Sequence, residues 1–195
     1  MELCSINKDT EDPTLLKATW ILHDFHPNAN GVQLSREVSL EASKSIKNKP
    51  IVTYYHGVDE LGTPTDALGG HEQYDTLDRD GNIIQATETT PIGTITSEAY
   101  IMLITNSEGA QEEVMACDSV LWISRFQDAC NLLIEWYERG IQIVSSCEYY
   151  YKNFTVQDGI VHVSSPVYYD GHCILNSEER GGHKIVQPAY DKSVM

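Results

Sequence analysis

Two adjacent serines, Ser145 and Ser146, lie in a stretch rich in β-branched and aromatic residues. A serine hydroxyl becomes a nucleophile when a base lies within hydrogen-bond reach and a third group orients that base. His56 and His162 occupy similar β-rich stretches and could supply these two roles. Serine hydrolysis is therefore one hypothesis. The alternative is a polar pair that faces a cavity or a backbone acceptor.

One helix and one glycine precede the serines and would position them. Apolar side chains recur at helical spacing, which predicts a helix over 125–139; they are Phe126, Cys130, Leu133 and Trp136. Gly140 then suits the left-handed residue that ends a helix. From Ile141 to Tyr151 the pattern changes to a period of two, which predicts a strand that carries both serines.

Other alternating segments predict a strand-dominated chain. The predicted strands are 15–25, 50–56, 92–104, 112–123 and 159–169. A short helix over 35–47 has Ser35 as its N-cap. Short turns between strands indicate a mainly β, mostly antiparallel barrel or curled sheet with helices packed outside.

We expect a single domain over 1–170, followed by an irregular C-terminal segment, 171–195. Residues 57–90 hold many turn formers, so we expect an insertion or flap more mobile than the sheet. Within it, Asp80-Gly81 between strand-like flanks predicts a hairpin turn.

Composition excludes several classes of function. A formal net charge of −16 argues against nucleic acid and against acidic membrane surfaces. The five cysteines have no framework spacing, so we expect reduced thiols; they are Cys4, Cys117, Cys130, Cys147 and Cys173. The first residues lack the basic and apolar regions of a signal peptide. No segment approaches the roughly 20 apolar residues of a membrane span.

Several short motifs resemble, in order, those of the prohead maturation proteases of tailed bacteriophages, which share the fold of the herpesvirus assemblin proteases. NANGVQLSREVSLEASKSIKNKPIVTYYH (28–56) resembles the opening of the family, which ends in the catalytic histidine. PIG at 91–93 resembles the segment after that histidine. The helix, glycine and serine strand of 120–149 resemble their counterparts in the family. VHVSSP at 161–166 is similar to the strand that carries the third catalytic residue. Together these motifs cover roughly residues 15–170.

The resemblance implies a catalytic role for particular residues of this chain. His56 matches the general base, and Ser146 matches the nucleophile because Ser146-Cys147-Glu148-Tyr149 fits the family's Ser-x-Gly/Glu-aromatic pattern. His162 matches the third member. Ser145 is the alternative nucleophile, if the motif is aligned one residue earlier in the chain. Asp158 and Asp170 are alternative third members. The arginine pair that follows the second histidine in assemblins is missing after His162.

The resulting hypothesis is a serine endopeptidase that processes scaffold and major capsid proteins during prohead maturation. It would use a Ser-His-His triad without cofactor or metal, inside the assembling prohead in the host cytoplasm, and could form a homo-oligomer. One alternative is a non-catalytic capsid- or scaffold-binding protein with the same fold. Another is a small metal- or ligand-binding β-barrel that uses His23 and His26.

Overall fold

The computed structural model of the protein describes residues 6–9, 11–71, 73–106, 108–192 and 195. The strands of this part are Ile6–Lys8 (β1), Leu16–His23 (β2), Val32–Gln33 (β3), Pro50–Thr53 (β4), Tyr55–Val58 (β5), Pro64–Leu68 (β6), Gln73–Leu77 (β7), Ile83–Thr87 (β8), Thr90–Ile95 (β9), Tyr100–Thr105 (β10), Gln111–Leu121 (β11), Ser145–Gln157 (β12) and Ile160–Ile174 (β13). The helices are Arg36–Ala42 (α1), which a 3-10 turn at Ser43–Ile46 extends, and Gln127–Glu138 (α2). The predicted mainly β class is confirmed.

Nine strands form one open, strongly curled sheet. Its path is β1–β2–β11–β9–β4–β13–β12, with β10 paired to β11 and β3 paired to β13. The pairs are antiparallel except for those of β13 with β3 and β4. Three strands separate β2 from β13, yet the ring of Trp20 on β2 lies 5.3 Å from that of His172 on β13. Within the described residues, the end strands β1 and β12 do not pair with each other, so of the two predicted alternatives the sheet is the open, curled one and not a closed barrel.

Helix α2 closes one side of the interior, as its apolar spacing predicts. Its buried face packs on the main hydrophobic core; the face consists of Ala129, Cys130, Leu132, Leu133 and Trp136. Gly140 follows the helix with φ of 70°, a conformation that costs glycine little. Strand β12 therefore begins five residues after the helix stop, and α2 fixes where the serine pair enters the sheet.

The predicted strand over 50–56 is two strands in different sheets. β4 lies in the main sheet and ends at Thr53, whereas β5 begins at Tyr55 and pairs with β6. The predicted strand over 92–104 also divides, into β9 and β10. Between them, the backbone N–H groups of Thr96 and Ser97 both donate to the carbonyl of Asp118. These bonds hold the turn that separates β9 from β10.

Residues 57–90 are more regular than predicted. They include two hairpins, β5–β6 and β7–β8, which lie outside the main sheet. The turn formers are concentrated there because each hairpin needs a tight turn. In the second, the Asp78 carboxylate accepts from the N–H groups of Asp80 and Asn82, and Gly81 has φ of 82°. The predicted turn at Asp80-Gly81 is confirmed, while the mobility of the segment stays a prediction.

The C-terminal segment is irregular but attached along its length. β13 runs to Ile174, beyond the predicted boundary at residue 170. After it, the N–H of Val186 donates to the carbonyl of Asn176, and Tyr190 and Met195 are buried. The C-terminal segment is therefore packed against the rest of the protein.

The described cysteines are free thiols in the interior; they are Cys117, Cys130, Cys147 and Cys173. Cys4 and the rest of 1–5 lie outside the described residues. Of the described helices, none has the length and apolar character needed to cross a bilayer.

Candidate functional site

An open groove of about 1090 Å³ runs along the first half of β12; we call it the β12 groove. Residues 146–151 form its floor. Its walls come from the β7–β8 hairpin, the loop at 28–32 and the C-terminal residues 186–190. The N–H of Ala29 donates to the carbonyl of Ala189 and ties two of these walls together. The volume exceeds that of most small-molecule pockets, so the groove has room for a segment of polypeptide.

Strand β12 presents a free backbone edge to this groove. It is the last strand in the path of the main sheet, and β13 is its single strand partner among the described residues. Alternate N–H and C=O groups along the other edge of a terminal strand point away from the sheet. The groove floor therefore offers backbone donors and acceptors to an extended chain.

The two serines face opposite sides of β12. Ser145 points to the interior; it is fully buried, and its hydroxyl has no hydrogen-bond partner. Ser146 lines the groove and retains 7% of its surface exposed. Successive residues of a strand alternate between faces, so a shift of one residue exchanges interior for groove. Of the two candidate nucleophiles, Ser146 is the one that lines the groove, although most of its surface is buried.

A carboxylate, Glu148, and an imidazole, His71, line the same groove as Ser146. Glu148 is two residues further along β12 and hence on the same face as Ser146. Its Oε1 lies 3.3 Å from Nδ1 of His71, and each side chain is about one third exposed, at 30% and 38%. An ionised carboxylate at that nitrogen favours the protonated imidazole and fixes the orientation of the ring.

The carboxylate of Glu148 occupies space that a glycine leaves empty. Gly171 is the register partner of Glu148 on β13. A Cβ atom at Gly171 would lie 2.7 Å from Oε2 of Glu148, closer than carbon and oxygen can approach without displacement. The absence of a side chain at residue 171 thus lets the glutamate lie against the strand pair.

The interior face of the same strands holds a second histidine, His172. It lies opposite Cys147, is fully buried, and neither ring nitrogen has a hydrogen-bond partner. Burial, with smaller contributions from the positive charge that His23 and His71 can carry, lowers the pKa of His172 to about 3. Burial also raises the pKa of the Cys147 thiol well above its ordinary value, so this cysteine is a poor nucleophile.

The predicted triad is not brought together. Ser146 pairs with Cys173, whereas His162 pairs with Thr155 near the far end of the β12–β13 hairpin. At ~3.3 Å per residue, Thr155 lies roughly 30 Å from Ser146 along the strand. Asp158 lies in the turn that joins the two strands, even further from Ser146. The register of this long hairpin, which the sequence motifs do not specify, is the reason for the separation.

His56 also lies outside the β12 groove. Its ring stacks on that of His183 at 3.9 Å and packs against Tyr54 at 4.2 Å. The cause is the division of the 50–56 strand, which places His56 on the separate β5–β6 sheet. Asp170, the other predicted alternative, does line the groove, where Lys49 approaches it to 3.3 Å.

His23 and His26 do not form a pair of metal ligands. Nδ1 of His23 lies 2.7 Å from the carbonyl of Asp24, so it carries the proton, and Nε2 accepts from the hydroxyl of Tyr169 at 2.8 Å. Both nitrogens are therefore engaged. Nowhere in the described part of the chain do three His, Cys, Asp or Glu side chains gather as a metal site.

Sequence reasoning missed His71 and gave Glu148 no chemical role. The spacing of Ser146 and Glu148 could have shown that both lie on one face of a strand. His71 offered no such signal, because a contact across 77 residues of sequence depends on how the β7–β8 hairpin folds back over β12.

Comparison with known proteins identifies the family. The model of the YonD N-terminal domain matches residues 15–195. This chain belongs to the YonD N-terminal domain family. A relative, the YonD protein of the SPbeta prophage of Bacillus subtilis (strain 168), is 52% identical over 196 residues. That match covers 98% of this chain and 41% of the relative, so the chain spans less than half the length of the curated protein it matches. No solved structure matches the chain.

The prophage origin of this relative supports the predicted phage origin of the YonD N-terminal domain. The β12 groove lies within the matched residues 15–195, as do Ser146, Glu148 and His71. The candidate site is thus a feature of the domain itself.

Proposed function

We propose that this YonD N-terminal domain is a serine endopeptidase that cleaves an extended segment of polypeptide in the β12 groove, with Ser146 as the nucleophile. The observation that carries the proposal is the position of Ser146 in an open groove beside the Glu148–His71 pair. Nucleophile, imidazole and carboxylate are the groups that acyl transfer to serine requires.

The free edge of β12 suits a polypeptide substrate. An extended chain can add to an unpaired strand edge through main-chain hydrogen bonds, which give affinity without dependence on sequence. Unpaired backbone N–H groups of a strand edge can also stabilise the oxyanion of a tetrahedral intermediate. Rigid placement on a strand holds the nucleophile in one geometry.

The proposed biological substrates are the scaffold and major capsid proteins of the phage, cleaved inside the assembling prohead in the host cytoplasm. The phage origin of the relative supports this setting. An assemblin-type fold belongs to the same proposal, supported by the curled, mostly antiparallel sheet with α2 packed on it.

Covalent labelling tests the proposal directly. The protein would be treated with a fluorophosphonate probe, and the labelled residue would be located by peptide mass spectrometry. We expect one labelled serine, Ser146, and no labelling of Ser146→Ala. Incubation with the scaffold and capsid proteins of the same phage should then create new termini that the Ser146→Ala protein does not produce. A protein that is folded but neither labelled nor able to cleave would overturn the proposal.

A second candidate is a non-catalytic scaffold- or capsid-binding module, and the unpaired edge of β12 favours it. Strand addition needs the edge but not the serine hydroxyl. In this case Ser146→Ala would bind the partner protein as tightly as the unaltered protein does. Binding would instead be lost with Tyr150→Pro, because proline removes a backbone donor and does not fit a paired edge.

A further inference from the structure

We propose that His71 is the general base for Ser146 and that Glu148, seated over Gly171, is the positioning residue for His71. This assignment rests on the proposed function. It replaces His56 and His162, which lie elsewhere in the fold. The catalytic unit would thus join strand β12 to the segment that leads into the β7–β8 hairpin.

Glu148 relates His71 to the serine, because it contacts His71 and lies on the same face of β12 as Ser146. Its Nδ1 lies 3.3 Å from Glu148, so its Nε2 is the nitrogen directed away from the carboxylate. Ser146 is two residues before Glu148 on the same face of β12, so the Cα atoms of the two residues are ~6.6 Å apart. Glu148 and Gly171 form one rung of the β12–β13 pair, and Ser146 and Cys173 form another nearby. All three polar side chains line the same groove.

Other ionisable groups surround the imidazole of His71. Asp170 on β13 lines the groove and is paired with Lys49 from the segment before β4. His172 lies on the interior face of β13 and is neutral because it is buried. Glu148 approaches the imidazole to 3.3 Å, and its negative charge favours the protonated ring.

The proposed reaction moves protons through His71 in both directions. Nε2 of His71 accepts the proton of the Ser146 hydroxyl as Oγ bonds to the scissile carbonyl carbon. The imidazolium then gives that proton to the leaving nitrogen as the C–N bond breaks, which leaves an acyl ester on Oγ. A water molecule gives a proton to His71 and attacks the ester. The acid product departs, and Ser146 recovers its proton.

The rate of fluorophosphonate labelling, measured against pH, tests this assignment. We expect the rate for the unaltered protein to rise with pH through one ionisation, that of His71. His71→Ala should lower the rate by about a hundredfold or more and remove the inflection. Added imidazole should restore part of the lost rate. His56→Ala and His162→Ala serve as matched controls, and each should keep both the rate and the inflection.

Glu148→Gln separates positioning from a merely structural role. Loss of the carboxylate removes the charge that favours the imidazolium, so the inflection should move to lower pH and the rate should fall by about tenfold. An NMR titration of the His71 ring should show the same decrease of its pKa, independently of activity. Unchanged ring titration in Glu148→Gln would contradict the pairing.

The remaining outcomes are also decisive. If Ser146 is labelled at an unaltered rate in His71→Ala, the base is wrong while the endopeptidase proposal stands. If His56→Ala removes the inflection instead, His56 is the base. If the unaltered protein is not labelled at Ser146 at all, the proposed function fails and this assignment fails with it.

Discussion

The two faces of β12 carry similar residue types near Ser145 and Ser146, but they differ in burial and in the charged groups that contact them. The interior face holds a serine, a cysteine and His172, all buried, and the polar atoms of the serine and the histidine have no partner. The groove face holds Ser146, which is largely buried, and the partly exposed ion pair of Glu148 and His71. A serine near a histidine is thus insufficient for catalysis; exposure and a charge that supports the imidazolium make the groove face the better candidate.

The interior face carries an energetic cost. A buried polar group without a hydrogen bond costs about 1–3 kcal/mol, and both Ser145 and His172 are in that position. The interior face therefore affects folding stability, whereas we expect the groove face to affect reaction rate. The predictions below test this division.

The largest effect should come from removal of one serine and not the other. We expect Ser146→Ala to lower the peptidase rate by at least about 10³-fold, because the nucleophile is lost. Ser145→Ala, its matched control, should remain within about twofold because its hydroxyl faces the interior. Hydrolysis of an unfolded protein substrate, followed by mass spectrometry, measures both. Equal loss in the two variants would show that the faces are not independent.

Acidification should destabilise the protein through its two buried histidines. Burial lowers the pKa of His23 to about 4 and that of His172 to about 3, below the ordinary 6.5. Between these values the unfolded chain binds more protons than the folded one, so stability falls as pH decreases below 6.5. Each histidine should remove about 2 kcal/mol between pH 7 and pH 5. Urea unfolding followed by tryptophan fluorescence measures this loss.

His172→Phe sharpens the same measurement. Phenylalanine keeps an aromatic ring against Trp20 and has no group to protonate, so the pH-dependent loss should shrink by about half. His26→Gln is the control, because the side chain of His26 is 74% exposed and should leave the full loss in place. A pH profile that His172→Phe does not alter would contradict the assigned pKa direction.

A methyl group at Gly171 should affect the groove face with little change in stability. The added Cβ of Gly171→Ala would displace the carboxylate of Glu148, which is the movable end of a side chain. Separation of the pair would remove the charge that favours the protonated His71 ring, so the rate should fall by up to about tenfold, as in Glu148→Gln. The pH profile of labelling should move toward that of Glu148→Gln. An unchanged profile would mean that the glutamate finds an equivalent position.

The smallest effect concerns two interior serines. Ser145→Ala should be neutral or stabilising by up to about 1 kcal/mol, because the hydroxyl has no partner to lose. Ser119→Ala should destabilise by about 1–3 kcal/mol, since its Oγ accepts from Nε1 of Trp20 at 2.7 Å. Urea midpoints of the two variants provide the comparison. Destabilisation of similar size in both would indicate that Ser145 has a partner.

Local patterns predicted much of the fold. The apolar spacing of 125–139 located α2, and Gly140 located its end. Ser35 caps α1 as predicted, with its Oγ accepting from the N–H of Val38. Alternation located β2 and β11 to within two residues at each end. Each of these signals depends on neighbours within a few positions of the sequence.

The candidate site depends on longer-range geometry and could be predicted only in part. Alternation placed Ser145 and Ser146 on opposite faces, but the interior or groove character of each face depends on the register of β12 against β13. The strand over 50–56 reads as continuous, although its division at Tyr54 carries His56 into another sheet. His71 reaches Glu148 through tertiary folding alone.

The open edge of β12 also bears on how copies of this protein behave toward one another. An unpaired strand edge is a template on which a second identical strand can add, and natural proteins shield such edges. Here the β7–β8 hairpin and residues 186–190 stand on either side of the edge. Walls in this position would hinder the approach of another whole sheet. The walls of the groove would thus keep the protein from aggregating at high local concentration, while the edge remains accessible to a single chain.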